Sequence, residues 1–177
     1  MSDAHTMLLL GLVGKPWLFS LFDAGYDVWL GNNRGTKYSD VKIGTGANPN
    51  SQRHWDWTSE ELAKYDLPAE IDTVLEVTGK QKLKYVGYSR GTSIMFIGLA
   101  LNEDTYFANK VSKFIAIAPC IYTSEIKFFG NTFNYEDAVK AFTKLDEKNV
   151  YKIKSFGEPI SVNDLLYFEQ IRIEDRF

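Results

Sequence analysis

Lys84-Tyr85-Val86-Gly87-Tyr88-Ser89-Arg90-Gly91-Thr92-Ser93-Ile94-Met95-Phe96 is the stretch that decides how this chain is read. An apolar run leads into Gly-x-Ser-x-Gly, and a second apolar run follows at helical spacing. Leu83 to Val86 predicts a short buried strand, and Ser93 to Leu101 a buried helix. A serine on the tight turn between them is held out above the end of a sheet, with its hydroxyl exposed. Ser89 is therefore a candidate nucleophile. The amide of Arg90 falls at a helix N-terminus, where free N–H groups and the helix dipole favour an oxyanion. Gly87 and Gly91 are expected to let strand and helix approach without Cβ clashes.

The rest of the chain bounds the answer. At 177 residues it is one domain's worth, and 45% apolar with 15% aromatic residues is a globular composition. The net charge of −3 comes from mixed signs with no basic block, which argues against a nucleic-acid partner. The one cysteine, Cys120, excludes an internal disulfide and a cysteine-built zinc cage. No Asn-x-Ser/Thr sequon occurs, so nothing in the chain marks it as secreted. Met7 to Val13 is too short to span a bilayer. It follows Asp3 and not a basic segment, so it reads better as a buried strand than as a signal peptide.

Taken in order, Met7 to Val13 suits a strand buried on both faces of a parallel sheet. Trp17 to Phe22 predicts one or two helical turns, Tyr26 to Leu30 the next strand, and Gly31 to Ser39 a polar loop. Residues 40 to 54 read as an exposed loop, with His54 as a solvated side chain. Thr58-Ser59-Glu60-Glu61 fits a capping box. Asp66-Leu67-Pro68 predicts a separate helix start with Asp66 as N-cap, an inner face of Leu67, Ile71, Val74, Leu75 and Thr78, and Gly79 just past its end. Val111 to Ala118 is a further strand. Strands alternating with helices at this spacing demand crossovers, hence an α/β fold with a parallel sheet. After Cys120 charges and scattered aromatics predict a helical cap without a buried strand, with amphipathic pieces at Tyr135 to Leu145 and Val162 to Ile173. The division expected is 1–119 for the core and 120–177 for the cap.

The strand–serine–helix pattern resembles the nucleophile elbow of the α/β hydrolases. Ala24 to Gly35 (AGYDVWLGNNRG), Ala63 to Ala69 (AKYDLPA), Ala116-Ile117-Ala118-Pro119 and Ser161 to Phe168 (SVNDLLYF) are similar to the acid lipases, the family of lysosomal acid lipase and gastric lipase. The resemblance implies hydrolysis of neutral lipid esters, triacylglycerols and cholesteryl esters, by a Ser-Asp-His triad under a cap, without a cofactor or metal. It also implies a lysosomal or secreted setting. By position Ser89 is the nucleophile. Arg90, where the family usually has glutamine, supplies one oxyanion-hole amide, and Leu12 the second. Tyr88 stands where the family has histidine, and Leu10 replaces the histidine of the His-Gly pair. In the family's sheet order, 1-2-4-3-5-6-7-8, this chain supplies the third to sixth strands.

Both histidines, His5 and His54, precede Ser89, whereas the family order is Ser, Asp, His. Two readings follow from the residues. One is a lipase of the acid-lipase type, here a truncated copy whose aspartate and histidine lie beyond Phe177. The other is a non-catalytic relative serving as an interaction subunit or lipid-binding module. Missing edge strands predict self-association or a partner that supplies them. Among the remaining candidates, Cys120 reads as a core thiol and Arg34 as a loop clamp. Phe128, Phe129, Phe133, Tyr135 and Phe142 either line an acyl groove or pack the cap. Glu60-Glu61 and Glu136-Asp137 sit at helix starts, where the dipole explains them.

Overall fold

The computed structural model describes residues 17–39, 48, 51–101, 105–120, 152–155 and 158–167. The expected strand Met7 to Val13, Leu12, His5, the aromatic group from Phe128 to Phe142, the helix at Tyr135 to Leu145 and Glu136-Asp137 all lie outside those residues.

Two parallel strands, β1 (Leu83–Tyr88) and β2 (Val111–Ile117), pair from Leu83↔Val111 to Tyr88↔Ile117, with one register irregularity at Leu83/Lys84. Between them in sequence run α5 (Arg90–Leu101) and α6 (Tyr106–Lys110). Ahead of them come α1 (Trp17–Asp23), α2 (Gln52–Trp55), α3 (Ser59–Glu61), a π-helical turn (Leu62–Asp66) and α4 (Leu67–Thr78). The core is built where these meet. Trp55, Trp57, Leu62, Leu67, Ile71, Ile94, Met95 and Phe107 are all buried in one cluster. The parallel pair joined through α5 is the α/β crossover expected from the spacing. The α5 helix starts at Arg90, three residues before the predicted Ser93.

The capping box at Thr58 is present. The Thr58 hydroxyl accepts from the Glu60 amide at 3.2 Å, and the Glu61 carboxylate accepts from the Thr58 amide at 2.7 Å. Replacing Thr58 by alanine is expected to cost about 1 kcal/mol in urea unfolding. An unchanged midpoint would show that the cap adds nothing here.

Asp66 is not an N-cap. Helix continues from Ser59 to Thr78 through the π turn, where the Leu67 amide bonds to the Leu62 carbonyl, five residues back. Pro68 explains the widened turn, because proline brings no N–H and crowds the carbonyl four residues before it. Asp66 has helical φ/ψ and turns its carboxylate to Arg34, accepting from the Arg34 amide at 2.8 Å and from Nε at 2.7 Å. Arg34 is thus the loop clamp that the sequence suggested. At the far end Gly79 takes φ +66, the left-handed residue that closes α4.

Three further expectations are corrected. Residues 26–30 carry no strand among the described residues. A strand needs a ladder partner, the segment expected beside it is not described, and β1 pairs with β2. His54 is not solvated. It lies in α2, is 3% exposed, and meets Trp55 edge-on with ring centroids 5.2 Å apart. The region after Cys120, expected to be helical, also contains an antiparallel hairpin of β3 (Lys152–Ser155) and β4 (Glu158–Ser161). Residues 162–167 are helical, as expected.

Glu70 is a buried carboxyl on α4. Its Oε1 has no hydrogen-bond partner among the described residues, and a Cβ built on Gly31 would overlap its carboxylate. Burial, with repulsion from Asp66 second, raises its pKa from 4.5 to about 7. Below pH 4.5 the folded and unfolded chains both hold this proton. Between 4.5 and 7 only the folded chain keeps it, so stability falls as pH rises through that window and is level above it. The full loss is about 3 kcal/mol. Glu70→Gln is expected to recover most of it at pH 7.5 and to flatten the slope between pH 5 and 7 in urea titrations. A variant with the wild-type slope would assign that slope to another group.

Candidate active site at the ends of the parallel strands

Ser89 lies between the last residue of β1 and the first of α5, with φ +51. A non-glycine residue in that region stores about 1–3 kcal/mol of strain, and such residues cluster at functional sites. Ala118, one residue past the end of β2, has φ +49. Both parallel strands thus end in a strained residue on the same side of the sheet. The carboxyl end of parallel strands is where open α/β sheets place their ligand crevices.

The turn is fastened from several directions. The Ser89 amide bonds to the Ile117 carbonyl at 2.9 Å, extending the β1–β2 ladder by one bond. The Ser89 carbonyl accepts from the Thr92 amide at 2.9 Å and from the Thr92 hydroxyl at 2.5 Å. The Thr92 hydroxyl oxygen in turn accepts from the Cys120 amide at 3.1 Å, and the Ser93 hydroxyl donates to the Cys120 carbonyl at 2.9 Å. Thr92 and Ser93 are fully buried, so their hydroxyls act as internal ties.

Gly87 has the role expected of it. A Cβ there would sit 2.8 Å from the Gly91 carbonyl carbon and oxygen and 2.9 Å from the Thr92 nitrogen. Gly91 does not, because a Cβ on it would meet only the Tyr85 hydroxyl, at 3.5 Å. What Gly91 contributes is its carbonyl, which accepts from the Tyr85 hydroxyl at 2.9 Å. Tyr88 closes β1 and is half-buried. Ser89 is half-buried, less open than the exposed hydroxyl that was expected.

Cys120 is not a core thiol. It is half-exposed, and its Sγ lies 3.7 Å from the Ser89 Oγ. The proline-ended strand did not reveal this, because the chain turns at Ala118 and returns Cys120 to the serine. Arg90, by contrast, is buried, and its guanidinium faces away from any simple surface role. It pairs with Asp164, donates through Nε to the Ser59 hydroxyl at 3.3 Å, and lies 5.6 Å over the Trp57 ring. Sequence reasoning missed Ser59 and Asp164. A signal for the second existed, since Ser161-Val162-Asn163-Asp164 has the spacing of a helix start, and the Asp164 amide does bond to the Ser161 hydroxyl at 3.4 Å.

The profile of the family described as the alpha/beta hydrolase fold matches residues 13–176. The chain belongs to the α/β hydrolase fold family. Within it, the sequence is of the acid-lipase type. It is 46% identical over 137 residues to the Caenorhabditis elegans lipase lipl-3, covering 75% of this chain and 33% of that protein. It is 46% identical over 114 residues to mouse gastric triacylglycerol lipase, covering 64% and 28%. Human lipase member K is 45% identical over 113 residues, covering 64% and 27%. The chain therefore spans about a third or less of the length of the curated relatives it matches. Among the described residues of this α/β hydrolase, no helix is long and apolar enough to cross a membrane, and no cluster of metal-ligating side chains occurs.

Proposed function

We propose that this protein is a carboxylic ester hydrolase acting on neutral lipid esters, with Ser89 as its nucleophile. The observation that carries this reading is Ser89 itself, a non-glycine residue at positive φ between a parallel strand and a helix. Relatives named as lipases support a lipid substrate, and one named a triacylglycerol lipase supports triacylglycerol. Cholesteryl ester is the alternative that the acid-lipase resemblance implies. In the reaction the Ser89 Oγ attacks the ester carbonyl, and its proton passes to a general base. The tetrahedral oxyanion is held by the amides of Arg90 and Leu12. Collapse expels the alcohol, leaving an acyl-serine that water cleaves to the fatty acid. The base and its acidic partner come from outside the described residues. Residues 120–177 act as a cap over the serine.

A long-chain alkyl phosphonate ester, which forms a stable adduct only with an activated serine, tests the reading on the protein isolated from its source. Labelling is expected on the peptide that carries Ser89 and is absent from Ser89→Ala. Unlabelled protein that still binds lipid vesicles would favour the non-catalytic, lipid-binding reading.

A further inference from the structure

Asp164 and Arg90 are joined across the fold. The Asp164 side chain is fully buried and that of Arg90 is 8% exposed. Ser59 bridges them. Its hydroxyl donates to Asp164 Oδ1 at 2.8 Å and accepts from Arg90 Nε at 3.3 Å. The face of Trp57 closes the fourth side. Burial pushes the Asp164 carboxyl up and the Arg90 guanidinium down, and their mutual attraction opposes both shifts. Desolvation offsets much of that attraction, so a buried pair of this kind fixes geometry more than it adds stability.

The geometry it fixes is specific. Arg90 follows Ser89 directly and is the first residue of α5. The segment bearing Asp164 is seated independently. The Ser161 hydroxyl donates to the carbonyls of Trp55 and Trp57 at 2.6 and 2.9 Å, and the Asn163 side-chain Nδ2 to the Asp56 carboxylate at 2.9 Å. A fixed residue therefore grips the side chain whose backbone forms the turn.

We propose that Asp164 is a positioning residue, which through Arg90 holds the Ser89–Thr92 turn and the Arg90 amide in register once residues 161–167 are seated. Its catalytic consequence rests on the hydrolase reading. The mechanical coupling does not.

The test is amide hydrogen exchange on the 177-residue chain. Asp164→Asn keeps the size of the side chain and removes its charge. The Ser89 and Thr92 amides, both hydrogen-bonded in the turn, are expected to exchange about tenfold faster, with the amides of 71–78 unchanged. Combining it with Arg90→Gln leaves no uncompensated buried charge and is expected to restore protection to within about threefold. Should Asp164→Asn not fold, Ser59→Ala removes only the bridging hydroxyl and is expected to loosen the same two amides by about threefold. A uniform increase along the chain would overturn the proposal, as would an unchanged turn. Where Ser89-dependent ester turnover is measured, Asp164→Asn is expected to lower kcat about tenfold with KM unchanged. Protein isolated from its source that shows neither turnover nor phosphonate labelling would remove the hydrolase reading and leave the exchange result standing. Turnover with an unaffected turn would remove the coupling alone.

Discussion

Purified as its 177 residues, the chain is expected to hydrolyse short p-nitrophenyl esters barely above the buffer rate, and Ser89→Ala to change that rate little. Two observations lead here. The Ser89 hydroxyl has the Cys120 sulfur beside it at 3.7 Å. Of the two histidines, His54 is 3% exposed and packs on Trp55, and both precede the serine, whereas the family order places the histidine after it. A serine hydroxyl without a general base is a weak nucleophile at neutral pH, and loss of the base from a serine triad costs about 10⁶ in kcat. Oxyanion stabilisation and binding leave about 10³ to 10⁴ over water, which sets the ceiling for a residual signal. Robust turnover that disappears in Ser89→Ala would mean that a further group, on this chain or on a second one, acts as the base.

Gly87→Val is expected to lower stability by about 3 kcal/mol or more, the upper range for overpacking. The side chain would be driven into the carbonyl of Gly91 and the nitrogen of Thr92 at under 3 Å, and both are backbone atoms that cannot rotate aside. For a chain of this size the loss corresponds to roughly 6–12 °C in Tm. Gly91→Ala is the control. Its Cβ meets only the Tyr85 hydroxyl at 3.5 Å, and alanine suits a helix better than glycine, so Tm should hold or rise slightly. Equal losses in both variants would mean that strand and helix do not approach most closely at Gly87.

The contrast between these glycines shows what the sequence carried. Strand, turn and helix around Ser89 were legible because each depends on neighbours within a few residues: apolar spacing, a small residue before the serine, a capping hydroxyl at Thr58, a left-handed glycine at 79. The errors share a different cause. Asp66 looked like a helix cap because Pro68 follows it, but its partner Arg34 is 32 residues away. His54 looked solvated because the loop before it is polar, yet it packs on Trp55, whose carbonyl accepts from the Ser161 hydroxyl 106 residues on. Ser59 read as part of a capping box and proved to bond to Asp164, 105 residues away. Local patterns do not encode which distant segment arrives, so a side chain's environment was lost wherever that arrival decided it. The acid-lipase resemblance supplied the family and left these contacts unread.

Those same separations set an order of events during synthesis. The carbonyls of Trp55 and Trp57 receive the Ser161 hydroxyl, and the Arg90 guanidinium receives the Asp164 carboxylate, only after a further hundred or seventy residues of chain have emerged. At about 5–20 residues per second, the tryptophans wait on the order of ten seconds beside the ribosome with those bonds unmade. Contacts across so long a loop also form late in refolding, since closure entropy must be met before they contribute. The nascent chain therefore carries the Trp55 and Trp57 carbonyls without the Ser161 hydroxyl, and Arg90 with Ser59 and Trp57 before the Asp164 carboxylate arrives, throughout that interval.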